Sequence, residues 1–104
     1  MVGQLPDFKL SIMAIDKRIL ILHPNDHVAI ALTDLPCGEK LLVNERFLTL
    51  RSAIPFGHKI ALMHIMSGTH ILKYGLPIGI ATNDIEEAEW VHSHNLKSDY
   101  IPLK

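Results

Sequence analysis

Two histidines one residue apart, in Val91-His92-Ser93-His94-Asn95, are the first candidates for chemistry. On a strand, alternate side chains share a face, so His92 and His94 would project together. Two imidazoles on one face bind one metal ion, or one binds while the other moves protons. A metal needs a third ligand, so the pair also suits two polar residues on a solvated strand face. A second candidate is Lys73-Tyr74-Gly75, followed by Pro77-Ile78-Gly79. A lysine point charge holds a carboxylate, and a tyrosine hydroxyl donates to one. Gly75 and Gly79 let a ligand or another backbone approach closely. The same residues equally suit a strand end and a tight turn.

His58 follows the turn Pro55-Phe56-Gly57 and opens a strand, where a side chain is free to face a cleft. His23 ends an apolar run and precedes Pro24-Asn25-Asp26-His27. Pro24 and Asp26 read as helix-start signals. They put a cap between the two histidines, so His27 is set aside. His64 and His70 flank Gly68 and read as surface residues. The chain has 7 histidines in all, a surplus that fits metal or proton chemistry without choosing between them. There is no glycine-rich phosphate loop, nucleophile elbow or HExxH motif. Glu39, Glu45, Asp84, Glu86, Glu87 and Glu89 sit in turns and read as solubility charges.

The elements that must position these residues are short. A length of 104 residues sets one domain, and 48% hydrophobic content is enough for a compact core. Apolar, β-branched runs predict strands over residues 18–23, 40–44, 47–51, 58–63, 70–73, 78–82 and 90–94. A short helix is predicted to start within 27–32. Four segments share one pattern of apolar and small residues. They are centred on Gly38, Gly57, Gly68 and Ala88, with spacings of 19, 11 and 20. Glycine at three of the four fits a turn that needs positive φ, and Ala88 must sit in a turn that tolerates a Cβ. The chain therefore reads as two similar halves of a small folded-over β structure.

Composition removes several function classes. The net charge of −1 and the absence of a Lys/Arg run give no footprint for nucleic acid. Aromatic residues are only 6%, too few for base-stacking platforms. Cys37 is the single cysteine, which excludes an internal disulfide or a CxxC zinc site, and it reads as a small hydrophobe beside a turn. No apolar run reaches the roughly 18 residues of a membrane span. The apolar stretch at 10–15 is too short and wrongly flanked for a signal peptide. A cytoplasmic protein is the default expectation. Residues 1–12 lack a clear period and are expected to be an extension or a disordered N-terminus.

The motifs occur in a telling order. His23-Pro24-x-Asp26-x-Val28-Ala29 precedes Ile54-Pro55-x-Gly57-His58-Lys59-Ile60-Ala61. Then come Ile71-x-Lys73-Tyr74-Gly75-x-Pro77-Ile78-Gly79-x-Ala81-Thr82 and Val91-His92-Ser93-His94-Asn95-Leu96. Together they resemble the SAF domain of altronate and galactarate dehydratases, from about Arg18 to Leu96. Ala88 departs from the glycine usual there. His27 and His64 stand where asparagine and an acidic residue are common.

The resemblance implies a mainly β chain with a β-clip (SAF-like) fold, one or two short helices and pseudo-two-fold halves. It implies a domain over 13–96, with 97–104 as a tail or linker to the catalytic part. It implies a small subunit or N-terminal domain of a sugar-acid dehydratase, a hydro-lyase giving a 2-keto-3-deoxy acid, inactive without a large catalytic domain or subunit. His92 and His94 would be the acid–base pair, with His94 the metal-facing one. His23, His58, Lys73, Tyr74 and Asn95 would bind the sugar acid. The cofactor implied is a divalent metal, iron(II), in the complete enzyme. The small subunit of a sulfolactate sulfo-lyase and a non-catalytic carbohydrate-binding SAF module are the alternatives. Exposed β edges invite homo-oligomers.

Overall fold

The computed structural model describes residues 15–98. The extension expected over residues 1–12 and the tail beyond Ser98 lie outside the described residues. Within them the chain is mainly β. In chain order the strands are β1 (Ile19–Leu20), β2 (Val28–Ala31), β3 (Lys40–Val43), β4 (Arg46–Thr49) and β5 (Lys59–Ala61). They continue with β6 (His70–Lys73), β7 (Leu76–Ala81), β8 (Trp90–Val91) and β9 (Leu96–Lys97).

A four-stranded antiparallel sheet in the order β1-β2-β5-β8 forms the middle. Side-chain alternation divides it into two apolar faces. Ala29, Ala31 and Ile60 enter one core with Leu41, Val43 and Leu48 of the β3–β4 hairpin. Val28, Ala61 and Val91 enter a second core with Ile71 and Ala81 of the β6–β7 hairpin. Each hairpin therefore covers one face of the same sheet. Strand β9 pairs with β7 and extends the second hairpin to three strands.

The two halves repeat each other bond for bond at their turns. Gly38, Gly57, Gly68 and Ala88 have φ of 87°, 83°, 88° and 71°. The N–H groups of Gly38 and Gly68 donate to the carbonyls of Leu50 and Ala81. Those of Gly57 and Ala88 donate to Ala31 and Ala61. Leu35 bridges Ile54, and Ile65 bridges Ile85. Asp34 and its counterpart Asp84, a solubility charge in sequence terms, both close turns. Each accepts a backbone N–H at 2.8 Å, from Phe56 and Ser67 respectively.

The helix expected within 27–32 is replaced by β2. Val28, Ala29 and Ala31 are all buried, because this strand lies between β1 and β5 with a core on each side. A segment buried on both faces has no solvated side for a helix to present. Its supposed cap, Asp26, spends its carboxylate elsewhere. The strand expected over 90–94 stops at Val91. His92–Asn95 is a turn, closed by donation from the N–H groups of Asn95 and Leu96 to the His92 carbonyl. Among the described residues no helix is long and apolar enough to cross a membrane.

Candidate functional site

The ladder pair Lys59↔Val91 is the last one between β5 and β8, so His58 and His92 face each other just beyond it. Their rings stack with centroids 4.6 Å apart. Trp90 lies alongside, nearly parallel to His92 at 5.4 Å and tilted against His94 at 5.1 Å. The Trp90 indole N–H donates to His58 Nδ1 at 3.1 Å, which fixes that ring's acceptor nitrogen. The two C-terminal histidines thus converge through a turn rather than along a strand, with the indole as their platform. Trp90 escaped the sequence reading, although Trp-x-His-x-His carries the chain's only tryptophan.

Asn95 shapes that turn from beneath. It is 1% exposed. Its Oδ1 accepts the His92 N–H at 2.9 Å, and its Nδ2 donates to the Trp90 carbonyl at 2.9 Å and to Glu89 Oε2 at 3.4 Å. A fully satisfied buried amide of this kind holds geometry. His92 and His94 themselves are exposed. Desolvation by its neighbours, then the charges of His58, Lys59 and His94, hold His92 below the usual histidine range.

The Lys73 region is built by a second set of contacts. Tyr74 and Gly75 form the two-residue loop between β6 and β7, with φ of 60° and 73°. Positive φ at both positions is the type I′ hairpin turn. Asp26, 2% exposed, clamps it: Oδ2 accepts the Tyr74 N–H and Oδ1 the Gly75 N–H, each at 2.8 Å. The half-buried His23 ring lies over Gly75, where an added Cβ would come within 3.0 Å of Cδ2. His23 Nδ1 accepts the Asn25 N–H at 3.0 Å. His27, set aside on sequence grounds, accepts the Leu72 N–H on Nδ1 at 2.8 Å and donates its own N–H to the Leu72 carbonyl. The His23–His27 loop is therefore the dock for the tip of the second hairpin. Tyr74 projects from that tip, 66% exposed.

Lys59 links the two regions. It is half-buried, and its ammonium is pushed below the ordinary lysine range by burial and then by Lys73. It in turn lowers His92. Sequence reading noticed Lys59 only as part of the Gly57-His58-Lys59 motif. His64 and His70 are exposed.

A groove of about 650 Å³ lies on the other side of His23, between residues 15–24 and the β3–β4 hairpin. Its lining includes Ile19, Leu22, Val43 and Met63 but none of His58, Lys73, His92 or His94. The cluster lies outside that groove, with His92 and His94 exposed and His58, Lys59 and Lys73 half-buried. Among the described residues no group of three His, Cys, Asp or Glu side chains is placed to hold a metal ion. These residues do not fit an iron(II) site of their own, and a metal at His94 would take its other ligands from elsewhere.

The profile of the altronate/galactarate dehydratase SAF domain matches residues 17–99. The chain is 44% identical over 82 residues to the altronate dehydratase of Escherichia coli (strain K12), covering 79% of this chain and 17% of that protein. It is 40% identical over 88 residues to the altronate dehydratase of Bacillus subtilis (strain 168), covering 85% of this chain and 18% of that one. It is also 41% identical over 51 residues to the (2R)-sulfolactate sulfo-lyase subunit alpha of Paracoccus pantotrophus, covering 49% of this chain and 76% of that subunit. The chain spans under a fifth of the length of either altronate dehydratase. On the profile match and these identities, the chain belongs to the SAF-domain family of altronate and galactarate dehydratases.

Proposed function

We propose that this chain is the small module of a sugar-acid dehydratase, working with a large catalytic domain or subunit. The observation that carries the reading is the cluster of His58, His92 and His94 around Trp90, continued by Lys59 and Lys73. Its openness to solvent supports a partner. Acid–base chemistry gains from excluded water, and a covering surface would supply that.

The reaction removes water from a sugar acid. A base takes the proton next to the carboxylate, the neighbouring hydroxyl leaves as water after gaining a proton, and the resulting enol becomes a 2-keto-3-deoxy acid. His92, held below the usual histidine range, is neutral near pH 7 and suits the base. His94, whose ring is tilted against Trp90 at 5.1 Å, suits the acid that protonates the departing hydroxyl. Lys73, Tyr74 and His58 bind substrate oxygens, with His23 supporting the Tyr74 turn from behind. Asn95 acts by holding His92 in place. The expected divalent metal, iron(II), would be bound by the large partner and would supply Lewis-acid chemistry there in the complete enzyme.

The test is reconstitution with the large partner and assay of dehydration of altronate and galactarate. His94→Ala and Lys73→Ala should each lose most of the activity. Full activity in both variants overturns the catalytic reading and leaves a binding or assembly module. The sulfo-lyase alpha subunit offers a second reading, because it is a separate chain of which this sequence covers 76%. Turnover of sulfolactate in place of the sugar acids would select it.

A further inference from the structure

We propose that Lys59 and Lys73 together form an anion site on the sheet face covered by the second hairpin, and that it takes the carboxylate of a sugar acid. The proposal rests on the substrate-site reading above and extends it to Lys59, to the pairing of the two lysines and to the group they hold.

Register places the first lysine. Lys59 lies opposite Ile30 on one side and Val91 on the other, so it shares the face of Val28, Ala61 and Val91. The β6–β7 hairpin covers that face, and Lys73 is the last residue of β6. Both lysines are half-buried. Neither makes an ion pair or a side-chain hydrogen bond with any described residue. Asp26, the buried carboxylate near the hairpin tip, already has both oxygens occupied by the Tyr74 and Gly75 N–H groups.

Two ammonium groups that are partly desolvated, without an ion pair among the described residues and within each other's field are an unfavourable arrangement by themselves. A bound anion attracts both ammonium groups and so offsets their mutual repulsion and their desolvation. The rings of His58, His92 and His94 cluster around Trp90 beside Lys59 and offer hydrogen-bonding groups there. A carboxylate has two oxygens for two ammoniums, and the hydroxyls along a sugar acid then reach the imidazoles and Tyr74. A neutral polyol has the hydroxyls without the charge, so the site should reject it.

The experiment follows the lysine Cε and Hε resonances of the 104-residue chain by NMR, against pH, with and without galactarate. Galactitol is the neutral control. Galactarate should saturate, shift both lysines and raise the titration point of Lys59, because a carboxylate favours the charged amine. Lys59→Met should weaken binding by about tenfold or more, the size expected for losing one charge-assisted contact. Lys59→Arg should retain most of the binding, and Lys40→Met on the other hairpin should bind as the parent does.

Galactarate that moves neither lysine overturns the proposal; so does galactitol acting as well as galactarate, or unaltered binding by Lys59→Met. A flat titration is also the result expected if an acidic side chain of a partner is the true occupant. Should Lys59→Met fail to fold, the parent titration and Lys59→Arg decide. In the reconstituted dehydratase, Lys59→Met with unchanged kcat and KM beside an inactive His94→Ala sinks the anion site alone. Saturable galactarate binding beside full activity in His94→Ala and Lys73→Ala sinks the catalytic reading alone.

Discussion

The β3–β4 and β6–β7 hairpins begin from equivalent turns, and their tips fall at equivalent places, six residues beyond Gly38 at Asn44 and six beyond Gly68 at Tyr74. From there they diverge. The first tip, Asn44-Glu45, has positive φ only at Asn44 and is exposed. Neither of its side chains hydrogen-bonds to another described residue. The second tip has positive φ at both positions and is held by a buried carboxylate. The second hairpin also carries a register shift between Ile71 and Leu72, where the first pairs regularly from Lys40↔Thr49 to Val43↔Arg46. Such irregularities re-aim side chains along a strand. One supersecondary unit, used twice, is thus plain packing in one copy and a positioning device in the other. The difference lies in what lies against the tip.

The sharpest way to test that difference is to remove the clamp. Asp26→Ala leaves two backbone N–H groups without their ionised acceptor and should cost about 3 kcal/mol of stability. Asn44→Gly at the other tip should change stability by less than about 0.5 kcal/mol. Urea unfolding of both variants measures the pair. Equal effects would mean the second tip is no more anchored than the first.

Gly79 distinguishes the hairpins at their bases. A Cβ there would lie 2.5 Å from the Lys97 carbonyl oxygen and 2.8 Å from Leu96 Cδ1. Gly79→Ala should therefore pry β9 from β7 and cost about 2 kcal/mol, as overpacking does. Amide exchange should speed up at Thr82, whose N–H donates to the Asn95 carbonyl just ahead of β9, and leave β3 and β4 protected. Protection lost evenly across both hairpins would argue that the halves unfold only together.

What the sequence shows and hides follows the range of the interactions. The shared turns were readable because a left-handed turn leaves glycine in three of four places, a purely local demand. Ala88 meets the same demand with a methyl group, at φ 71°. The histidine pair was readable from spacing alone, although a turn and not a strand brings it together. Asp26 was misread as a helix cap because Pro24 and Asp26 are the local signals of one. Its true partners are 48 and 49 residues away. Lys59 and Trp90 were missed for the same reason: their relevance comes from sheet register, which pairs β5 with β8 across the chain. Gly57 isolates the local part. An added Cβ meets nothing within 4 Å, so Gly57→Ala tests backbone conformation only, at about 1 kcal/mol. A larger loss would show that this turn also packs against something.

Acid should separate the two halves most gently. Asp16 belongs to the first, since its N–H donates to the Leu42 carbonyl in β3. The Arg18 guanidinium beside it lowers its pKa to about 2. A carboxylate depressed in the folded state stabilises fully above its ordinary value near 4 and loses that contribution as pH falls toward 2. His92 belongs to the second half, and it is a base whose folded value is also depressed. The folded chain then binds fewer protons there than the unfolded chain, so stability is full above about 6.5 and declines as pH drops through the range below it. His92 is exposed, so its step is the smaller of the two. Plotting the urea midpoint against pH should show a slight early fall that His92→Gln removes, and a later one below pH 4 that Asp16→Asn removes. If either substitution flattened both regions, the titrations would be coupled through the central sheet, and the halves would not be electrically separate.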